Sequence, residues 1–380
     1  MSREQIPVTA RLITWARERA GISIEEASKT FKKIEAWEDI ENDIFPTYVQ
    51  LEQLSERFKV PIAVFFFPEP PAVPPIRESF RTLPDQQFDG IPSQVRLLLR
   101  KAKALQLNLV ELNQGTNPAD RLISHDLGFP TNVEVTEMAE QVRAYLGVSL
   151  EQQCAWQDDD TALANWRDTL GEVGISVFKD AFRVPEYSGF CLYDDVFPVI
   201  YANNSVAKTR QIFTLFHELA HLLFHTSGID TFEDSYIPDL ANDARRIEIL
   251  CNRFSAQFLI PDEAFENTLQ GKPASEETAA EIAAHFHVSR EVVFRKFLDR
   301  GLIEQAAYTE AATEWAAQRG GGGGGNWYNT KIAYLGRDYI GLAFKQFHSN
   351  RIDETQLAEY LDTKPRNLAV LEEYFARGSV

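Results

Sequence analysis

With 380 residues, 44% of them hydrophobic, the chain can bury a substantial core, and its length favours two or three domains over one. A formal net charge of -18 excludes a general nucleic-acid or membrane-surface binder, because the average field repels phosphates and anionic lipids. No apolar run approaches the roughly 20 residues that span a bilayer, and "MSREQIPVTA" lacks the apolar core of a signal peptide, so a cytoplasmic protein with no membrane partner is expected. Cys154, Cys191 and Cys251 stand singly without C-x-x-C spacing, which points to free thiols and not to a disulfide framework or thiolate zinc site. Two breaks divide the chain: the prolines of "FFFPEPPAVPPI" after Phe67, and the six glycines Gly320 to Gly325. The expected organisation is residues 1–67, residues 68–319, a linker 320–325, and a tail 326–380. The fold class is mainly α with a small β-sheet, or α+β.

In the first unit Ser23 and Glu26 have the spacing of a capping box, and Leu51, Leu54, Phe58 and Ile62 suit a core stripe. The stretch from Leu12 to Phe66 resembles the five-helix XRE-type helix-turn-helix domain, which implies a DNA partner. Its reading stretch, "KKIEAWEDIEND", is acidic at Glu35, Glu38, Asp39, Glu41 and Asp43, and the link before it is about four residues shorter than the family's pattern. Arg17, Arg19, Lys29, Lys32 and Lys33 remain as a basic patch, with Lys32 and Lys33 the DNA-binding candidates. DNA reading and protein docking both stay open.

The largest region begins with "PSQVRLLLRKAKALQLNLVELN", whose apolar spacing is helical. Three short β-branched or aromatic runs follow, "GISVFK", "SGFCLY" and "FPVIY", and predict a small sheet. Immediately after it, "FTLFHELAHLLFH" places His217, Glu218 and His221 in a segment free of Pro and Gly from Lys208 to Leu223. Histidines four apart lie on one helix face, about one turn from each other, so both imidazoles reach one ion while Glu218 faces its water as general base. A third protein ligand is still needed. His225 sits two turns from His217, roughly 12 Å along a continued helix, and converges only with strain. The acids Glu233, Asp234, Asp239 and Asp243 read as solvated loop charges. Glu248 lies in "NDARRIEILCNRFSAQFLIP" beside the stripe Ile247, Leu250, Cys251, Phe254, Phe258 and Leu259, as an edge charge or as the third ligand.

"IFTLFHELAHLLFH" followed by "EILCNRFSAQFLIP" resembles the ImmA/IrrE family of zinc metallo-endopeptidases, with Cys251 where alanine is common. The resemblance extends to "SGFCLYDDVFPVIYANNS", "ESFRTLP" and the N-terminal stretch. It implies a zincin-like, gluzincin-type catalytic domain in which His217, His221 and Glu248 hold one zinc ion and Glu218 is catalytic. It also implies limited proteolysis of a regulatory protein, often a helix-turn-helix repressor, in stress, phage or mobile-element control. Manganese, iron or cobalt would also suit such ligands. Gly189 and Phe190, in "SGFCLY", are candidates for pairing with an extended substrate, and Tyr187, Tyr193, Tyr201 and Tyr236 for an oxyanion donor. The competing reading is a DNA-binding regulator or antitoxin-like protein whose metal core is structural or vestigial.

"ETAAEIAAHFHVSREVVFRKFLDRGLI" has helix-turn-helix rhythm but reads as cover for the catalytic domain, and His125, His285, His287 and His348 have no partner pattern. The tail carries helical apolar spacing at Tyr339, Leu342, Phe344, Leu357, Tyr360, Leu361 and Leu371. Trp327 and Tyr328 suit an anchor on an apolar surface near the catalytic groove, which would make the tail a movable latch; a tethered second module with no control function is the alternative.

Overall fold

The computed structural model describes residues 4–39, 41–71, 91–184, 186–231, 240, 242–317 and 325–378. "ESFRTLP", Glu233, Asp234, Tyr236, Asp239 and the glycines before Gly325 lie outside the described residues. The chain divides into two compact units, Met1–Glu78 with Asp85–Lys101, and Ser79–Pro84 with Ala102–Val380. Among the described residues no helix is long and apolar enough to cross a membrane.

The first unit holds helices α1 (Ala10–Arg19), α2 (Ile24–Thr30), α3 (Ile34–Glu38) and α4 (Tyr48–Phe58), then a 3-10 turn, Ile62–Phe66. The capping box forms as expected: the Glu26 amide donates to Ser23 Oγ, and the Ser23 amide donates to Glu26 Oε2, each at 3.1 Å. Leu51, Leu54 and Phe58 close on Leu12, Ile13 and Trp37, with Ile62 packed at the margin. The expected basic patch is smaller than the sequence implied. Arg17 is buried, donating to Glu38 Oε1 at 2.7 Å and to the Ile22 carbonyl at 2.8 Å, so both charges are spent inside the unit. Lys29 pairs with Glu25 at 3.6 Å and Arg19 lies over the Trp15 ring. Lys32 and Lys33 stay exposed in the turn before α3, Lys33 in the left-handed region at φ 71°.

The division between units falls inside α5 (Ser93–Leu112). In the second unit come α6 (Val135–Leu146), α7 (Asp159–Glu172), strands β1 (Ser176–Asp180), β2 (Tyr187–Leu192) and β3 (Val199–Asn203), α8 (Lys208–Leu223), β4 (Ile229–Thr231) and α9 (Asn242–Leu259). Two further helices, α10 (Glu276–Phe286) and α11 (Arg290–Asp299), follow. The sheet order is β1-β3-β2-β4, with β1 parallel to β3 and β2 antiparallel to both of its neighbours. Trp166 of α7, Phe216 of α8 and Phe258 of α9 meet in one core: Trp166 stands edge-on to Phe216 at 4.8 Å, and Phe258 stacks on Phe216 at 4.2 Å. Large aromatic burial of this kind fixes the two long helices against each other.

Helix α8 crosses the sheet at close range because of Gly189. A Cβ there would come within 2.4 Å of Thr214 Cγ2, so any side chain would push α8 off β2.

The tail forms α12 (Trp327–Leu335), α13 (Arg337–His348) and two further short helices, and it packs on β1. Arg167 of α7 joins the pieces: its guanidinium donates to the Val177 carbonyl of β1 and to the Ala333 and Tyr334 carbonyls at the end of α12. Those last-turn carbonyls have no partner within their own helix and carry its negative dipole end, so a cation suits them. Tyr339 stands edge-on to Phe178 at 5.2 Å, and Gln346 donates to the Leu112 carbonyl at 2.7 Å. Trp327 and Tyr328 do not provide the anchor. Tyr328 stacks on Tyr374 within the tail, and Trp327 stands edge-on to Tyr328, remaining 46% exposed.

Candidate metal centre

Helix α8 is amphipathic around an unusual interior: His217, Glu218 and His221 are all buried in a segment otherwise made of Phe213, Leu215, Phe216, Leu219 and Leu222. Opposite them α9 presents Glu248, also buried. The donor atoms of His217, His221 and Glu248 lie within 4.8 Å of one another. The nearest pairs are His217 Nε2 to His221 Nε2 at 3.2 Å, His221 Nε2 to Glu248 Oε1 at 3.3 Å, and His217 Nε2 to Glu248 Oε2 at 3.4 Å. Donors placed about 2.0 to 2.1 Å from a tetrahedral zinc ion are separated from one another by about 3.3 Å. The three side chains therefore have the spacing of three corners of such a site.

The outer nitrogens support the same arrangement. His217 Nδ1 faces Asn252 Oδ1 at 3.1 Å, and His221 Nδ1 faces Thr226 Oγ1 at 3.3 Å. The Thr226 hydroxyl donates to the His221 carbonyl, so its lone pairs are left for the imidazole N–H. With Nδ1 carrying the proton in both rings, each Nε2 lone pair points inward, as ligation requires.

Glu218 sits apart from this cluster. Both of its carboxylate oxygens are buried without a hydrogen-bond partner among the described residues, and the weakly donating Cys191 thiol lies beside them. Burial pushes Glu218 up to about 7, against the pull of His221 and His217. A carboxylate left in this state costs free energy unless water or a cation completes it. Burial also disfavours a charged His217, yet Asp230, Glu248 and Glu218 outweigh it and hold the imidazole raised, at about 9. Glu248 is held well below the carboxylate range: burial opposes this, but His221 and His217 prevail. Cys191 and Cys251 are pushed well up by burial, which keeps them thiols and not thiolate ligands.

Asp230, absent from the sequence reading, is buried on β4, where Arg210 grips it with two bonds of 2.9 and 3.0 Å and Thr214 donates to it at 2.9 Å. This ties the edge strand to α8 one turn before His217. Of the other acids considered, Asp243 is exposed at the start of α9, outside the cluster. His225 lies beyond the end of α8 at φ 55°, with its ring against Tyr193. The pairing expected of Gly189 and Phe190 needs correction. Strand β2 has β3 on one side and β4 on the other, so it offers no free edge, and Phe190 is fully buried against Tyr201. Among the described residues the outermost strand on this side is β4. Of the tyrosines considered, Tyr201 donates to Asp180 and Tyr193 to Asp195.

No curated protein matches the chain. Residues 170–297 match the peptidase M78 family, described as the IrrE N-terminal-like domain. The match spans all four strands, both metal-facing helices and nearly all of the α10–α11 pair. The part of the chain that brings His217, His221 and Glu248 together is thus the part that is similar to the IrrE N-terminal-like domain of the ImmA/IrrE metallopeptidases.

Proposed function

We propose that the protein is a zinc-dependent endopeptidase in which His217, His221 and Glu248 hold the metal and Glu218 is the catalytic base. The observation that carries this reading is the orphaned Glu218 carboxylate, buried beside three donors at tetrahedral spacing. A purely structural site has no use for it. When bound, the ion supplies a Lewis acid that polarises the scissile carbonyl and acidifies water. Glu218 takes the proton from the attacking water and returns it to the leaving amine. Asn252 and Thr226 hold the imidazoles in the ligating tautomer, and Asp230 fixes the edge strand against α8.

The substrate proposed is a regulatory protein such as a helix-turn-helix repressor, which is what the ImmA/IrrE resemblance implies. The first unit serves as a helix-turn-helix-like docking module, a role supported by the loss of Arg17 and Lys29 to internal and neighbouring acids. The test uses Glu218→Gln, which should keep about one metal ion per chain while losing proteolysis. A Glu218→Gln chain used as bait in the native host should retain a protein that the wild type cuts. A variant that still cleaves that protein at the wild-type rate would refute the assignment of the base.

A further inference from the structure

The helix that carries both histidines begins where positive charge lacks a counterpart. Strand β1 runs parallel to β3, and Lys179 stands opposite Ala202 near the carboxyl ends of the two strands. Side chains alternate along a strand, so Lys179 shares a face with Val177. Val177 and Ala202 belong to the core that also holds Trp166 of α7 and Ile212 and Phe216 of α8, while Phe178 and Tyr201 meet on the opposite face. Lys179 therefore extends beneath α7 and α8, near the point where both helices start. Asp160 in the first turn of α7, Lys208 at the first position of α8, and Arg167 all act on its amine.

Lys179 is 8% exposed, yet the amine makes no hydrogen bond or ion pair among the described residues. Arg167 is spent on the carbonyls of Val177, Ala333 and Tyr334. Asp160, the only acid among the described residues that acts on Lys179, bonds instead to Lys208 at 2.9 Å and is itself exposed. A buried amine left in this state costs free energy when charged.

The two helix starts also differ. Asp158 caps α7, its Oδ1 accepting from the Thr161 amide at 2.8 Å. In α8 the same position is Ala207, with no side-chain cap and no acid in the first turn. The aligned peptides of a 16-residue helix thus leave a positive end with amide N–H groups to offer. An uncapped helix and an unpartnered buried amine are independent features that suit the same ligand, an anion with several acceptor oxygens. A tetrahedral phosphate accepts from amides on one side and from lysine point charges on others.

We propose that the start of α8, with Lys179 and Lys208, is a binding site for the phosphate group of a small ligand, about 13 Å along the helix from His217. The occupant neutralises the amine and caps the helix that carries His217, Glu218 and His221. Asp160, held only by Lys208 at the surface, turns outward as the anion enters. The site does not depend on the endopeptidase reading.

Sulfate is the probe, because it has the shape of phosphate and keeps the same charge throughout the pH range used. Calorimetric titration of the full-length, metal-loaded chain, against chloride at equal ionic strength, should show saturable binding of one sulfate per chain. Burial, with Arg167 and Lys208, holds Lys179 down at about 7, so the empty site is mostly neutral at pH 8 and the anion restores its proton. Titrations in buffers of different ionisation enthalpy should give an uptake approaching one proton per sulfate at pH 8 and close to none at pH 6. Lys179→Met should weaken binding at least tenfold. Ala207→Asp should do the same, since it supplies a carboxylate cap at a residue of extended backbone and leaves Lys179 in place. Inorganic phosphate and glycerol phosphate then distinguish the source: tighter binding of the ester assigns a phosphorylated small molecule, the reverse assigns free phosphate, and either upholds the site. The proposal is overturned by the absence of saturable binding, by sulfate uptake without protons at pH 8, or by binding that survives either substitution in a folded chain, as an anion seated on the metal would.

Discussion

Gly228 offers a test of the metal centre that touches no ligand. A Cβ at this position would lie 2.4 Å from His221 Cδ2, 2.6 Å from Cγ and 2.7 Å from Nε2. Carbon atoms in good contact stand about 3.5 to 4.0 Å apart, so the imidazole must retreat by about 1 Å. Metal–ligand distances tolerate only about 0.2 Å. Gly228 is not among the glycines with positive φ, so alanine adopts its backbone without strain and the effect isolates the steric contact. Gly228→Ala should therefore fold normally yet bind zinc at least tenfold more weakly, a loss of about 1.4 kcal/mol or more. The control is Gly171→Ala in α7, where the nearest atom to an added Cβ is 3.7 Å away, and its affinity should be unchanged. Competition with a chromogenic chelator measures both, with circular dichroism to verify the fold. A folded Gly228→Ala chain that binds zinc within twofold of wild type would show that the loop yields and the ring does not.

Three further outcomes follow from the geometry. Asn252→Ala removes the acceptor that fixes the His217 tautomer, and metal affinity by chelator competition should drop about 10- to 100-fold. Burial, with Arg167 and Lys208 adding repulsion, pulls Lys179 down to about 7, so its charged form is disfavoured in the folded chain. Above the ordinary lysine range neither folded nor unfolded chain holds the proton and there is no penalty. As pH falls from about 10 toward 7 the unfolded chain protonates first, stability declines, and below 7 the loss is complete. Lys179→Met should accordingly raise the urea midpoint at pH 6 and change it little at pH 10; an equal effect at both would refute the linkage. In the first unit, Glu38→Ala leaves Arg17 charged and buried, and should cost about 3 to 5 kcal/mol in denaturant unfolding of that unit.

The sequence exposed those parts of the site that repeat along one element. His217, Glu218 and His221 declared themselves because ligand spacing and helix period coincide over five residues, and α8 runs over the span that the absence of Pro and Gly marked out. Glu248 stood at the margin of an apolar stripe, where a surface charge and a ligand look alike until the partner helix is in place. Asn252, Thr226 and Asp230 carried no local signal, since each acts on a histidine or strand reached only through the tertiary fold. β4 is three residues long, too short for an alternating pattern. The error over Gly189 and Phe190 has the same origin: alternation identifies a strand but not its neighbours, and the order β1-β3-β2-β4 puts the second strand inside the sheet. The misplaced role of Trp327 and Tyr328 arose because their partner, Tyr374, is 46 residues beyond Tyr328.

The Arg167 clamp gives the two margins of the sheet unequal fates. At β1 the outward carbonyl of Val177 is taken by a guanidinium that also holds the last turn of α12, so the margin is sealed by the chain's own end. A strand margin without such a seal is a template for another chain. Cutting away residues after Arg319 would therefore do more than shorten the protein: it would take two acceptors from Arg167 and the packed helix from β1, and make self-pairing between copies the first property to change. Any gain or loss of activity in a shortened chain acquires meaning only once it has been shown to remain monodisperse, because a clumped sheet and a regulated enzyme can produce the same change in rate.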